Sequence, residues 1–494
     1  MNIKDTEFAV QIPVGQSLNS LPSEEAEAPA AIMNRTLLKV LASVPGVDFR
    51  EELDLEEDEK PKLKHVIVAT VDKILEITRQ QRLGLTIQGD FIYVFNGKYH
   101  EVVEAREFKN FLGGCAIQMW KKKYDKVKKI HLLETKHHTY RNELFNQFLA
   151  VGYFPPPEPE PGVTLVNLNN GTLEITPSGV MLREHRAEDF LTYCLPFDYN
   201  SKATCPKFDT YLQRVQPDEP ARHILAEYIA AIFTMKEVFR FEKVLLLYGT
   251  GANGKSVFFD ILNALLGKEN ITNYSLKHLN EEHNRAQIVN KLLNYGSEIG
   301  GNIDTELWKT LASGEPVQCR LKYGNSFIAE KYARLAFNCN VLPTEVEHTH
   351  GYFRRFLIIP FDVTIPEEER DLDLANNIIK EELPGVLNWV LKGLDRILRN
   401  KKFTHYPKVD KILSDFQRES DSVAMFLEEM NYQPSPEENE ALKYVFQEYR
   451  SYCIDNGFKP VASKNFRKRL EGLGYVCARR SSGWTVYLSK VNEL

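Results

Sequence analysis

The spacing of apolar residues changes several times along this chain, and each change marks a different kind of element. In VDKILEITRQQ, which follows Val68, they recur every three or four positions, which predicts a helix. FIYVFNGKYHEVV sets two strand-like runs about Asn96-Gly97, which predicts a hairpin. TLVNLNNGTLEITPSG does the same about Asn170-Gly171, and helical spacing returns in ARHILAEYIAAIFTM. From Lys243 the order becomes apolar strand, glycine loop and amphipathic helix, the opening unit of a parallel α/β domain. LANNIIKEELPGVLNWVLKGLDRIL is helical again. Near the end come a helix over NEALKYVFQEYRSYCIDNG, a basic helix over SKNFRKRLEGLGY with Ser463 as its cap, and a hairpin turning near Ser482-Gly483.

Breaks in these patterns divide the chain. Residues 1–60 read as a flexible segment, polar and Ala/Pro-rich in SLPSEEAEAPAA and acidic in EELDLEEDEKPK. A small mixed α/β domain is expected over 61–153, ended by the stiff run FPPPEPEPG. A mostly helical region is expected over 163–235, the nucleotide domain over 236–400 and a last compact unit over 420–494.

Composition changes this picture little. At 494 residues and 43% hydrophobic, the chain has material for several packed cores. Its net charge of -6 gives no global case for nucleic-acid binding, so that case must be local. Seven cysteines are scattered without a zinc-type spacing, as expected of reduced thiols. The first residues lack a signal-peptide pattern, and no apolar run is long enough for a bilayer span. A soluble, cytoplasmic protein with no membrane partner is expected.

Candidate chemistry centres on GTGANGKS. Gly249, Gly251, Asn253, Gly254, Lys255 and Ser256 form a phosphate-binding loop between the strand VLLLY and a helix. Glycines let backbone amides turn towards phosphate, Lys255 reaches the β and γ phosphates, and the Ser256 hydroxyl ligates magnesium. The expected cofactors are therefore ATP and Mg2+. Glu298 in NYGSEIG is the candidate acid at a neighbouring strand end, with Asp304 and Glu306 competing on spacing alone. Asn340 ends the strand ARLAFNCN, where its amide either orients water or caps a turn. Arg354 and Arg355 precede another apolar strand, as a phosphate clamp or as salt-bridged surface residues.

Taken in order, GTGANGKS, SEIG, KTLASGEPVQCRLKYGNSF, ARLAFNCNVLPT and GYFRRFLIIPF resemble the superfamily 3 helicases. The likeness is to the D5-like and P4-like helicase domains of phage, plasmid and genomic-island replication proteins. It covers roughly 160 to 400, and the segment from NNGTLEITPSG to KFDTYL looks like the D5 N-terminal region. The resemblance implies an α/β fold with a P-loop NTPase core (AAA+-like) and a C-terminal winged helix. It makes Glu298 the Walker B acid and second magnesium ligand, and Asn340 the sensor. Arg354 or Arg355 becomes an arginine finger acting on a neighbouring subunit of a homo-oligomer, typically a hexamer. It also places Lys322, with Arg320 and Lys331 behind it, on a channel hairpin that contacts DNA phosphates.

Ser297 departs from the family pattern, standing where a second acid is usual. The expected partners are single-stranded and forked DNA, with a separate primase or replication initiator as a candidate. No strand-borne metal pair followed by a histidine supports primer synthesis in the first 150 residues. In the last unit Lys464, Arg467, Lys468, Arg479 and Arg480 are the expected DNA contacts. The leading expectation is an ATP-dependent DNA helicase. A DNA-remodelling ATPase or partner loader, and a non-enzymatic origin-binding initiator with a nucleotide switch, are the alternatives.

Overall fold

The computed structural model describes residues 33–56, 59–123, 129–153, 160, 162–234, 238–299, 304–322, 324–343 and 348–490. The first 32 residues of the expected flexible segment, and most of the proline run, lie outside these. The rest of that segment is a correction. Residues Arg35–Ser43 form helix α1, capped by the Asn34 side chain, and Leu37, Val40, Val44, Val47 and Phe49 are buried in a shared core. Burying those side chains outweighs the polar and acidic stretches around them. The same core takes α2 (Leu63–Gln80), β1 (Gly84–Gln88), β2 (Phe91–Phe95), β3 (His100–Val103), α3 (Ala105–Lys123) and, beyond the short α4 (Lys129–Lys136), α5 (His138–Val151). The β2–β3 turn is held by Asn96 Oδ1, which accepts from the amides of Lys98 and Tyr99 at 2.9 Å each.

The next stretch opens with three antiparallel strands, β4 (Thr164–Leu168), β5 (Gly171–Thr176) and β6 (Gly179–Arg183). Helices α6 (Pro206–Val215) and α7 (Glu219–Ala231) follow, so this region is a sheet with two helices rather than mostly helical. The alternating strands bury one face of Val166, Leu168, Leu173 and Ile175, which fixes them as sheet.

The central body contains β7 (Val244–Tyr248), α8 (Lys255–Leu266), β8 (Ile271–Thr272), α9 (Glu282–Gln287) and β9 (Leu293–Gly296). It continues through α10 (Thr305–Ser313), β10 (Val317–Arg320), β11 (Ser326–Ala329), β12 (Arg334–Cys339), α11 (His350–Phe353) and β13 (Phe356–Pro360). Helices α12 (Leu374–Glu381), α13 (Leu383–Asn400) and α14 (Pro407–Glu419) complete it. Five strands form one parallel sheet in the order β13-β7-β12-β9-β8. Its strands are buried on both faces, as a parallel sheet between helices must be. On β7, Leu245 and Leu247 enter one core with α6, α7, α8 and α13. Val244 and Leu246 enter another with Trp308, Tyr352, Phe356 and Phe416. Phe416 of α14 extends the body beyond the expected limit at residue 400.

The last unit runs α15 (Ser422–Glu429), β14 (Tyr432–Ala441), α16 (Leu442–Asp455), α17 (Ser463–Gly472), β15 (Val476–Arg480) and β16 (Gly483–Lys490). Its strands pair antiparallel in the order β14-β16-β15. Phe426, Val445, Tyr449, Phe466 and Val486 make its core. Ser463 is the first residue of α17 rather than its cap; Ala462 holds the cap position and offers no side-chain hydrogen bond.

Candidate functional site

β7 delivers Gly249 to the carboxyl edge of the parallel sheet, where open α/β sheets bind ligands. Gly249 has no room for a side chain, since a Cβ there would stand 2.4 Å from the Phe361 carbonyl oxygen. Gly251, Ala252 and Gly254 take φ of 118°, 51° and 84°, so the chain curls tightly before α8 begins. The back of the loop is closed by α6. The Tyr211 hydroxyl donates to the Gly254 carbonyl at 2.8 Å, and a Cβ on Gly254 would lie 2.6 Å from Val215 Cγ1. Buried Glu382 in turn accepts from the amides of Lys207 and Phe208, capping the start of α6. Nothing in the loop motif names Tyr211 or Val215. Their spacing with Phe208 and Leu212 reads only as the apolar face of a helix.

Lys255 and Asn253 are both buried within the loop. Asn253 Nδ2 donates to the Phe361 carbonyl at 2.9 Å, and its Oδ1 accepts from Lys255 Nζ at 3.2 Å. The Gly249 carbonyl also accepts from Lys255 Nζ. Burial lowers the Lys255 pKa from its ordinary value of 10.5. These partners are neutral oxygens, so an anion in the loop would supply the counter-charge they lack. Ser256 is exposed in the first turn of α8, at the positive end of the helix dipole.

Neighbouring strands end at the same edge. Cys339 of β12 lies opposite Tyr248, and its carbonyl accepts from the Gly249 amide at 3.0 Å, which sets exposed Asn340 beside the loop. Cys339 Sγ lies 3.0 Å from the Val341 carbonyl, and burial pushes its thiol up to about 11. Glu298 is exposed two residues beyond β9, on the far side of β12 from the loop. Of its competitors, Asp304 is occupied as the cap of α10, its carboxylate accepting from the Leu307 amide at 2.9 Å. Glu306 sits in the first turn of the same helix.

The two arginines stand at the other edge of the sheet, beside the start of β13 and next to Val244. Five residues of strand at about 3.3 Å each put roughly 16 Å between them and the glycine loop of their own chain. Arg354 is exposed and paired with Glu242. Arg355 is buried; its Nη2 donates to Ser313 Oγ at 2.9 Å, its Nη1 donates to the Gly351 carbonyl, and Glu242 lies 3.8 Å away. The pair is therefore divided into an accessible residue and an internal strut.

β10 and β11 form the hairpin expected between the motifs, with Arg320 opposite Ser326. Arg320 and Lys322 are both exposed at its turn. Lys331 is exposed beyond the opposite end, past the Val317–Ala329 pair, so the hairpin does not bring it to the other two. In the last unit Lys464 and Lys468 share one exposed face of α17. Arg467 instead stacks on Trp484 at 3.7 Å and lies 3.4 Å from Glu471. Arg479 is exposed on β15, and Arg480 donates to the Tyr487 hydroxyl at 2.7 Å. Among the described residues no group of three or more His, Cys, Asp or Glu is placed to hold a metal, and no helix is long and apolar enough to cross a membrane.

Comparison with known proteins gives three family matches in chain order. Residues 56–217 match the family described as D5 N terminal like, a span that takes in most of the N-terminal unit as well as β4 to α6. Residues 247–355 match a family of unknown function, DUF5906, and 418–485 match Poxvirus D5 protein-like. A protein of Acanthamoeba polyphaga mimivirus named "Putative helicase" is 22% identical over 287 residues, or 54% of this chain. The chain spans 29% of that relative's length. Among solved structures, one apo form of the NrS-1 C-terminal region is 12% identical, with 85% of this chain and 99% of that one covered and a TM-score of 0.42. Another is 11% identical over 84% and 98%, with a TM-score of 0.45. The three matches run in order from residue 56 to 485, two of them to D5 models, and they support the assignment to the D5-like superfamily 3 helicases that the motifs suggested.

Proposed function

We propose that the chain is a magnesium-dependent ATPase that assembles as a ring, moves along DNA and separates its strands in the replication of a virus or mobile element. The observation that carries this reading is the placement of Lys255 and Arg354 at opposite edges of one parallel sheet. An arginine so far from its own phosphate loop serves a phosphate only across a subunit boundary, which a ring provides. The loop and the head of α8 read as a P-loop. Its amides and Lys255 bind the phosphates, Asn340 orients water beside the γ phosphate, and Glu298 polarises that water. Ser256 and Glu298 offer the hard oxygen ligands that magnesium takes, and the bound ion neutralises phosphate charge. The β10–β11 hairpin meets the DNA backbone through Arg320 and Lys322, and the last unit reads as a winged helix with Lys464, Lys468 and Arg479 towards DNA.

ATP turnover and forked-duplex unwinding test this together. Lys255→Ala is expected to lower turnover by about 100-fold or more, and Glu298→Gln to do likewise. Mixing Lys255→Ala with Arg354→Ala chains is expected to restore part of the activity, because each supplies what the other lacks at shared interfaces. No recovery on mixing, with both chains assembled, would remove the trans arginine from the mechanism. A second reading, a nucleotide switch that binds DNA without turnover, is favoured by the pairing of Arg354 with Glu242 in the single chain. It predicts DNA binding that responds to ATP while phosphate release stays at background.

A further inference from the structure

The N-terminal sheet rests against the β10–β11 hairpin. Phe91, the first residue of β2, meets Phe327 of β11 edge-on, with ring centroids 5.4 Å apart. Two residues on, the Tyr93 hydroxyl accepts from Asn290 Nδ2 at 2.9 Å. Residues two apart on a strand share a face, so both contacts come from one side of β2. Asn290 has a φ of 60°, a left-handed conformation that asparagine tolerates better than most residues, and it lies just before β9. The same face of β2 thus touches the hairpin and the turn entering the strand that leads to Glu298.

The sheet is also held along β3 and the turn before it. The Lys98 carbonyl accepts from Asn167 Nδ2 at 3.0 Å, the His100 amide donates to the Leu191 carbonyl at 2.8 Å, and Phe190 stacks on His100 at 4.3 Å. On the hairpin's other strand, Arg285 Nε donates to the Gln318 carbonyl at 2.8 Å, and His283 Nδ1 lies 2.9 Å from the Arg320 carbonyl. A two-stranded ribbon is marginal by itself in water and takes its position from what packs on it. Here α9 holds one strand and Phe91 touches the other.

We propose that Phe91 and Tyr93 are positioning residues, through which the N-terminal unit seats the DNA-facing hairpin and links it to the strand that leads to Glu298. The inference rests on reading that hairpin as the DNA contact. It gives residues 61–153 a role in sensing DNA engagement, distinct from holding nucleotide.

The test uses the full chain with Phe91→Ala, the conservative Phe91→Leu, and Tyr93→Phe. Amide hydrogen exchange reports the hairpin, and the single-stranded DNA concentration that half-saturates stimulation of ATP turnover reports the coupling. Phe91→Ala is expected to speed exchange over 317–329 by about tenfold while α8 stays protected. It is expected to raise the half-saturating DNA concentration by about threefold or more, with DNA-free turnover within about twofold of the parent. Phe91→Leu should recover most of both effects. Should Phe91→Ala loosen the whole N-terminal unit, Tyr93→Phe carries the test, since it alters only one hydroxyl and should shift half-saturation in the same direction. Unchanged hairpin exchange, or unchanged half-saturation in both Phe91→Ala and Tyr93→Phe, overturns the inference while parental turnover stands. A parent chain without Lys255-dependent, DNA-stimulated turnover overturns the motor reading itself.

Discussion

Arg354 and Arg355 are adjacent in sequence and held in unlike surroundings, one exposed beside Glu242 and the other buried against Ser313 and Gly351. Removing the buried guanidinium leaves the Ser313 hydroxyl and the Gly351 carbonyl short of a partner, which costs about 2 kcal/mol. Arg355→Ala should therefore lower Tm by several degrees, whereas Arg354→Ala should leave it nearly unchanged while ATP turnover falls. Calorimetry on the two variants beside turnover assays checks this, and equal Tm losses would contradict the division. The sequence presented the pair as equivalent. What separates them is the packing of α10 and α11 around one position, which no local pattern carries.

At the scale of elements, the N-terminal unit holds a titratable group in its contact with the segment after β6. His100 of β3 is buried among Tyr93, Phe95 and Phe190, and burial lowers its pKa from 6.5 to about 4. The folded state thus resists a proton that the unfolded chain accepts below about 6.5. Its stabilising effect is complete above that pH and is lost as pH falls from 6.5 towards 4, by about 3 kcal/mol in all. His100→Phe should flatten this part of the profile in urea unfolding followed from pH 7 to pH 4, and an unchanged slope would show that His100 is not its source. The hairpin whose second strand begins at this histidine was legible from Asn96-Gly97, because a tight turn is a local event. Helix α1 was not legible, because RTLLKVLAS lies between polar and acidic stretches and is fixed by burial against α3, well away in sequence.

Across the whole molecule, the order of the motifs was readable, as was the strand, loop and helix that carry Lys255. The strand order β13-β7-β12-β9-β8 was not, since neighbours in a parallel sheet are chosen by tertiary packing. Nor was the union of the upstream segment with the central body. Phe208, Leu212, Val215, Ile224 and Leu225 share one core with Phe258, Ile261 and Leu265 of α8, although the sequence divided them at 235. A fragment beginning at residue 236 should therefore aggregate or bind a hydrophobic dye, while one beginning at 163 and ending at 419 should unfold cooperatively; cooperative melting of the shorter piece would refute the shared core. The closure of the loop by Tyr211 and Val215 has a consequence for descent as well. A recombination event that moved only the glycine-loop segment into another gene would leave its back wall behind. The smallest heritable cassette for this loop then begins upstream of α6, and new attachments are best tolerated at its outer termini rather than between α7 and β7.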